Sequence, residues 1–189
     1  MRTENTGIKI SPEDLLQNKQ FTTTLTDRKR VVLVGNPNVG KSLVFNHLSG
    51  LYADVSNFPG TTVAISRGTY GNYDILDTPG IYGVSSFNDE ERVARDVIVE
   101  ADIILNVVNS LHLERDLFLT KQLIEMGKKV SIILNFSDEV KRKKIKIDSK
   151  RLSALFGVEV IETSAVTGTG FDLLNEAITK ARPGFVSGE

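Results

Sequence analysis

Short apolar runs alternate with segments of helical periodicity along most of the chain. A continuous apolar run predicts a strand buried on both faces, and apolar residues three or four positions apart predict a helix. The predicted strands are 30–35, two strands within 65–77 around a Gly71-Asn72 turn, 102–108, 129–135 and 158–165. The predicted helices are 42–50, 89–101, 114–127, 148–157 and 170–182. This alternation predicts an α/β fold, with a mostly parallel six-stranded sheet and helices on both faces.

The pattern begins near residue 29, which indicates three parts of unequal size. Residues 1–28 are polar apart from one helix start at Ser11-Pro12, so we expect an N-terminal extension or linker there. Residues 29–182 are expected to form one domain, because a chain of 189 residues is long enough for a single substantial core. Residues 183–189 are expected to be a C-terminal tail.

Composition narrows the classes of function. The net charge of −1 gives no overall reason to expect nucleic acid as a partner. The sequence contains no cysteine, which excludes disulfides and thiolate metal sites and fits a reducing compartment. The apolar runs are far shorter than the roughly 20 residues that a membrane-spanning helix needs.

The stretch "GNPNVGKS" (35–42) joins the first predicted strand to the first predicted helix. It matches G-x-x-x-x-G-K-[ST], in which glycines let backbone N–H groups converge on a phosphate at a helix N-terminus. Lys41 would bring a full charge to the β- and γ-phosphates, and the Ser42 hydroxyl would bind Mg²⁺. The alternative is a glycine-rich turn with a chance Lys-Ser pair. The nucleotide contacts predicted in this stretch are Gly35, Asn36, Asn38, Val39, Gly40, Lys41, Ser42 and Leu43.

A second motif, "LDTPG" (76–80), follows another apolar strand. Asp77 is predicted to hold Mg²⁺, directly or through water, and the Gly80 N–H to meet the γ-phosphate. The alternative is an ordinary turn at Pro79-Gly80. The presence of a phosphate-binding stretch in the same chain argues against that alternative.

Two further motifs indicate which base is bound. "NFSD" (135–138) fits N-x-x-D, a weak pattern that gains weight at the end of a strand. Asp138 would accept two hydrogen bonds from guanine, whereas adenine offers no matching donors and would leave Asp138 unpaired. "TSA" (163–165) would add a backbone N–H for the guanine oxygen. The predicted base-binding residues are Asn135, Phe136, Asp138, Ser164 and Ala165.

These motifs, in this order, resemble the G domain of translation-factor-class GTPases over about residues 29–182. Within that class the chain is similar to the cytosolic G domain of the bacterial ferrous iron transport protein B family. The similarity is carried by "SNFPGTTVAIS" (56–66), "NVVNSLHLERDLFLTKQLIEMG" (106–127) and an N-x-x-D motif without lysine. Phe58 differs from that family, which usually has tryptophan at this position.

The resemblance implies a Ras-like P-loop GTPase fold that binds GTP or GDP with Mg²⁺. Switch I would cover about 51–63 and switch II about 78–90. In switch I, Thr62 would close on Mg²⁺ and the γ-phosphate, with Thr61 as the structural alternative. Asn38 resembles the ligand of a stimulating K⁺, although it could instead only bond the loop backbone. The residues expected to act in hydrolysis are Lys41, Asn38, Thr62 and Gly80.

Ile81 occupies the position at which many Ras-like GTPases have a glutamine, so slow hydrolysis is expected. The resemblance further implies a helical regulatory domain and a membrane transporter domain in the same longer chain. This chain would then be a cytoplasmic domain at the inner face of the cell membrane, although a stand-alone relative is the alternative. Oligomerisation is left open. Competing interpretations are a soluble GTPase of ribosome or tRNA maturation, and a nucleotide-occupied scaffold with little hydrolysis.

Overall fold

The computed structural model describes residues 28–50, 53–85 and 87–186. The helix start expected at Ser11, nearly all of the N-terminal extension and the end of the tail lie outside this range. The strands of the described part are β1 Lys29–Gly35, β2 Ala53–Asn57, β3 Ala64–Tyr70, β4 Tyr73–Asp77, β5 Ile103–Asn109, β6 Lys129–Asn135, β7 Glu159–Glu162 and β8 Arg182–Pro183. The α-helices are α1 Lys41–Ser49, α2 Asp89–Val99, α3 Leu113–Glu125, α4 Ser137–Arg142, α5 Ser149–Phe156 and α6 Leu174–Thr179. Two short 3₁₀ helices, Ser110–His112 and Phe171–Leu173, precede α3 and α6.

All these strands belong to one sheet, in the order β2-β3-β4-β1-β5-β6-β7, with β8 paired to β6. Strands β4, β1, β5, β6 and β7 run parallel, whereas β2 and β3 form an antiparallel edge. The parallel arrangement brings the loops that follow β1, β4 and β6 to the same edge of the sheet. In open parallel sheets this edge, beyond the carboxyl ends of the strands, is where ligands bind.

The two faces of the sheet carry separate apolar layers. Val32 and Val34 of β1 pack in the layer that contains residues of α2 and α3. Val31 and Leu33 pack in the opposite layer, with residues of α1 and α6. Burial on both faces explains why β1 is a continuous apolar run rather than an alternating one. It also anchors the phosphate-binding stretch to a rigid strand at one end and a packed helix at the other.

The predicted α/β class and mostly parallel sheet are confirmed, but the predicted number of six strands is wrong. The described residues form eight strands. Strand β2 was missed because all five of its residues are exposed and polar or small, except Val55, so they carry no burial pattern. Strand β8 was missed because its two exposed residues pair through the backbone with Lys129 and Val130.

The ends of several helices also differ from prediction. The helix expected over 170–182 is a 3₁₀ turn followed by α6, which ends before β8 begins. Helix α4 was not predicted, because its six residues are too short a segment to show helical periodicity. In the described part of the chain, no helix has both the length and the apolar character needed to cross a membrane.

Candidate nucleotide-binding site

Glycine is required at both ends of the turn between β1 and α1. A Cβ on Gly35 would lie 2.4 Å from the backbone oxygen of Val107 on the neighbouring strand β5. Gly40 has φ +83°, and a Cβ there would lie 2.2 Å from Nδ2 of Asn135. The close approach of the turn to β5 and β6 therefore leaves no room for side chains at these two positions. Asn38, between them, also has a positive φ of 63° and its side chain is exposed.

The side chains expected at the phosphates and at Mg²⁺ meet at one point. The ammonium of Lys41 forms an ion pair with Oδ1 of Asp77 and also donates to the backbone oxygen of Thr78. The hydroxyl of Ser42 donates to Oδ2 of Asp77 over 2.8 Å. Lys41 and Asp77 are both buried. The hydroxyl and carboxylate oxygens of this cluster are the hard ligands that Mg²⁺ prefers, so the residues present fit that metal.

Two clefts open beside this cluster and share Lys41, Ser42, Gly80 and Glu90. One, of about 720 Å³, is also lined by Thr62 and Asp77. The other, of about 400 Å³, is lined by Asn36 to Leu43 of the phosphate-binding turn and by Gly80. A Cβ on Gly80 would lie 2.8 Å from Cα of Pro37, so the 76–80 loop packs closely against that turn. The structure thus brings the first two motifs to one continuous concave surface.

The two neighbouring threonines of switch I differ in environment. The Thr61 hydroxyl donates to the Phe58 backbone oxygen over 2.9 Å and accepts from the Val63 N–H over 3.2 Å. It therefore stabilises its own turn. Thr62 is exposed and lines the larger cleft beside Ser42. Of the two, Thr62 is the one whose side chain is available to a ligand in that cleft.

Asn135 connects the base-recognition motifs to the phosphate-binding turn. Its Nδ2 donates to the Val39 backbone oxygen over 2.9 Å. Its Oδ1 accepts from the Ala165 N–H over 2.9 Å and from the Thr163 hydroxyl over 3.4 Å. The side chain is only 1% exposed. One buried amide therefore holds three loops, which come from distant parts of the sequence, in a fixed relative position.

The carboxylate expected to read the base lies on the first turn of α4. A hydrogen bond from Ser164 is the main cause that holds the pKa of Asp138 below its usual value, helped by nearby backbone N–H groups and by Arg142. Asp138 is therefore ionised at neutral pH, as an acceptor of two guanine hydrogen bonds must be. Phe136, just before α4, has a φ of 71°, and this left-handed residue turns the chain out of β6.

Ile81 directly follows Gly80 but has no access to the clefts. Its N–H donates to the Gly35 backbone oxygen over 3.1 Å, and its side chain is 2% exposed within the core. A buried aliphatic side chain cannot orient water, so hydrolysis at this site needs help from another group.

One buried polar cluster behind the phosphate-binding turn was missed by sequence reasoning. Asp116 of α3 is 1% exposed, and its carboxylate accepts from Nδ2 of Asn36 over 2.8 Å. It also accepts from the Asn109 N–H over 2.9 Å and from Nε of Arg115 over 2.8 Å. The only signal in the sequence was a carboxylate on the helix face that also carries Leu119 and Leu123. This cluster ties α3 to the first residue after β1.

Comparison with known proteins agrees with this geometry. The family model described as "Ferrous iron transport protein B" matches residues 29–178. The Fe(2+) transport protein A/Fe(2+) transporter FeoB fusion protein of Porphyromonas gingivalis is 40% identical over 162 residues, covering 82% of this chain and 19% of its own length. The Fe(2+) transporter FeoB of Campylobacter jejuni is 37% identical over 155 residues, covering 79% of this chain and 25% of its own length. The chain thus spans about a fifth to a quarter of these relatives.

Solved structures of such proteins share the fold. A mutant of S. thermophilus NFeoB bound to mGDP has a TM-score of 0.79 and 41% identity, over 82% of this chain and 62% of that one. A further S. thermophilus NFeoB mutant, bound to GMPPNP, has a TM-score of 0.73 and 40% identity, over 84% and 65%. The apo cytosolic domain of the T. maritima FeoB iron transporter has a TM-score of 0.78 and 36% identity, over 86% and 69%. The expected resemblance is confirmed, and with a family model matched over most of its length this chain belongs to the ferrous iron transport protein B family, as a G domain with a GTPase fold.

Proposed function

We propose that this chain is a GTP-binding and GTP-hydrolysing switch domain that regulates a ferrous iron transporter. The observation that carries the proposal is the cluster of Lys41, Ser42 and Asp77 in a cleft that Thr62 and Gly80 also line. The cluster supplies a cation for phosphate and oxygen ligands for a metal at the N-terminus of α1, where backbone N–H groups favour an anion. Related domains bound to mGDP and GMPPNP support the choice of nucleotide.

Each group has a distinct task in binding. Lys41 exchanges its contacts with Asp77 and the Thr78 backbone oxygen for the β- and γ-phosphates. Ser42, Thr62 and Asp77 would hold Mg²⁺, which when bound offsets the negative charge of the phosphates. The N–H of Gly80 faces the γ-phosphate. Loss of that phosphate removes a contact of both Thr62 and Gly80, so switch I and switch II relax after hydrolysis.

Guanine selection is assigned to the other end of the site. Asp138 accepts two hydrogen bonds from the base, and the hydrogen bond from Ser164 lowers the pKa of its carboxylate. We assign Ala165 the backbone contact to the guanine oxygen. Its N–H donates to Asn135 Oδ1 over 2.9 Å, so it would exchange that bond for the base, as Lys41 exchanges its contacts for phosphate.

Hydrolysis is expected to be slow and stimulated by K⁺. Ile81 cannot orient the attacking water, so charge stabilisation has to come from elsewhere. Asn38 is exposed at the mouth of the phosphate cleft, where its side-chain oxygen fits a K⁺ ligand. A K⁺ held there would add positive charge close to the phosphates. Equal rates in K⁺ and Na⁺ would contradict this assignment, whereas loss of the K⁺ effect in Asn38→Ala with nucleotide binding retained would support it.

A second candidate function is a nucleotide-occupied scaffold that barely hydrolyses GTP. The burial of Ile81 favours it, since the residue directly after Gly80 presents no polar group that can position water. Multiple-turnover phosphate release separates the two. The switch domain should release many phosphates per chain from GTP at roughly 10⁻³ s⁻¹ or slower, none from ATP, and none in Lys41→Ala. A single phosphate per chain, or none, would establish the scaffold instead.

The link to iron rests on the relatives. The relatives from Porphyromonas gingivalis and Campylobacter jejuni are Fe(2+) transporters that are four to five times longer than the matched region. We propose that this domain works with a helical regulatory domain and a membrane transporter domain of one longer chain. It would then lie at the cytoplasmic face of the cell membrane. Co-purification of this domain with the membrane fraction as one long polypeptide is the result expected; a band near 20.8 kDa in the soluble fraction would contradict it.

A further inference from the structure

Positive charge is concentrated in one short segment of the chain. Residues 141–151, called the basic segment, contain seven basic residues and one acidic residue, hence a net charge of +6, although the whole chain carries −1. The basic residues are Lys141, Arg142, Lys143, Lys144, Lys146, Lys150 and Arg151. The remainder of the chain therefore carries a net charge of −7.

These charges are exposed and largely unpaired. Residues 141–146 are all exposed. Within the described part of the chain, Arg142 pairs with Glu139, whereas the four lysines between 141 and 146 form no ion pair. Basic residues on other helices behave differently, because Lys121 and Lys180 each pair with a carboxylate one turn away. The positive potential of the basic segment is thus not neutralised by the protein itself.

The backbone exposes an apolar side chain among these lysines. Lys144 has a φ of 56°, a left-handed conformation that glycine adopts with less strain at the end of a helix. The turn is closed by the Ile145 N–H, which donates to the Val140 backbone oxygen over 3.0 Å. Ile145 is 45% exposed. It lines a cleft of about 330 Å³ together with the aliphatic Val140 and Ile147, the cationic Lys141 and Lys146, two serines and the single carboxylate of Glu162. The surface therefore combines cations with aliphatic groups.

We propose that the basic segment is a contact surface for anionic phospholipid. Each lysine near an anionic bilayer raises the affinity for that bilayer by about fivefold. An exposed aliphatic side chain can insert at the boundary between headgroups and acyl chains. RNA is the less suitable partner, because residues 141–151 include no aromatic side chain on which a base could stack. The inference rests on the proposed function only in that a transporter domain lies close to a bilayer.

The test is sedimentation of the purified chain with vesicles of phosphatidylcholine, with and without phosphatidylglycerol. Binding should require phosphatidylglycerol and weaken with salt. Replacing Lys143, Lys144 and Lys146 by glutamine should reduce vesicle affinity on the order of 100-fold. The matched control replaces Lys121, Lys129 and Lys180 by glutamine, which removes the same charge elsewhere and should change affinity only a few-fold. Both variants should release phosphate from GTP like the unaltered chain.

Three outcomes would overturn the proposal: no difference between the two kinds of vesicle, an equal loss in both triple variants, or vesicle binding too weak to detect. Tight binding of a single-stranded RNA probe that only the basic-segment variant loses would show that the surface takes nucleic acid instead. If the chain does not bind the vesicles but releases phosphate from GTP normally, the lipid-contact proposal is refuted and the proposed function is not. Vesicle binding without any nucleotide binding would refute the proposed function and leave the surface intact.

Discussion

Replacing Asn135 by alanine tests whether one buried amide holds the nucleotide site together. The substitution removes three hydrogen bonds, to the Val39 backbone oxygen, the Ala165 N–H and the Thr163 hydroxyl. Asn135 is 1% exposed, so water cannot readily replace these bonds without rearrangement of the loops.

The expected loss of stability follows from the groups left behind. The Val39 carbonyl and the Ala165 N–H lose their Asn135 partner, and a buried unsatisfied group costs roughly 1–3 kcal/mol. We therefore expect the free energy of unfolding of Asn135→Ala to fall by about 3 kcal/mol. With a urea m-value of about 2 kcal/mol per molar, the unfolding midpoint moves down by about 1.5 M.

The assay is urea unfolding followed by far-UV circular dichroism without nucleotide. Asn175→Ala is the control, because Asn175 is exposed on α6 and a surface change should stay within about 0.5 kcal/mol. An Asn135→Ala midpoint that matches the Asn175→Ala midpoint would refute the reasoning. If the free energy of unfolding falls by the predicted amount but GTP affinity is unaltered, the loops do not depend on Asn135 for nucleotide binding.

Three other predictions concern single side chains. Asp138→Asn should lower GTP affinity roughly 100-fold and favour xanthosine triphosphate, as measured by competition with a fluorescent nucleotide; unchanged GTP preference would count against Asp138 as the base reader. Ser164→Ala should raise the pKa of Asp138 toward its ordinary value in an NMR titration, since the Ser164 hydrogen bond is the main cause of its lowering. Because the folded-state pKa is lowered, the stability that this carboxylate contributes is fully present above its unfolded-state pKa, and therefore at neutral pH. It is lost only as the pH falls through the folded-state pKa. Asp116→Ala should lower the free energy of unfolding by about 3 kcal/mol in urea, whereas exposed Glu114→Ala should have little effect.

The strands that could be predicted well are those buried on both faces. The strand expected over 129–135 is observed as β6 with the same bounds, because every residue after Lys129 is buried. Strand β2 could not be predicted, since its five exposed residues carry no pattern and it forms only by backbone pairing with β3. The pattern of apolar residues predicts a strand when burial determines its side chains. It does not predict a strand that forms through backbone hydrogen bonds alone.

The site shows a similar division. Its motifs are local in sequence, so "GNPNVGKS" and "NFSD" could be found without a structure. The Asp116 carboxylate contacts Asn36 from 80 positions away, and no local spacing indicates that pair. The roles assigned to Asn38 and Asp138 remain predictions that the substitutions above examine. The role of Thr62 remains a prediction that nucleotide-dependent amide exchange in switch I examines.

Hydrogen–deuterium exchange of this chain with GDP and with GMPPNP tests the proposed switch most directly. The account predicts slower amide exchange in 58–63 and 78–85 when GMPPNP is bound, because Thr62 and Gly80 then contact the γ-phosphate. The amides of the buried strand β6 should exchange equally slowly in both complexes. Identical exchange of the two switch segments with both nucleotides would contradict the account and leave a domain that binds nucleotide without switching.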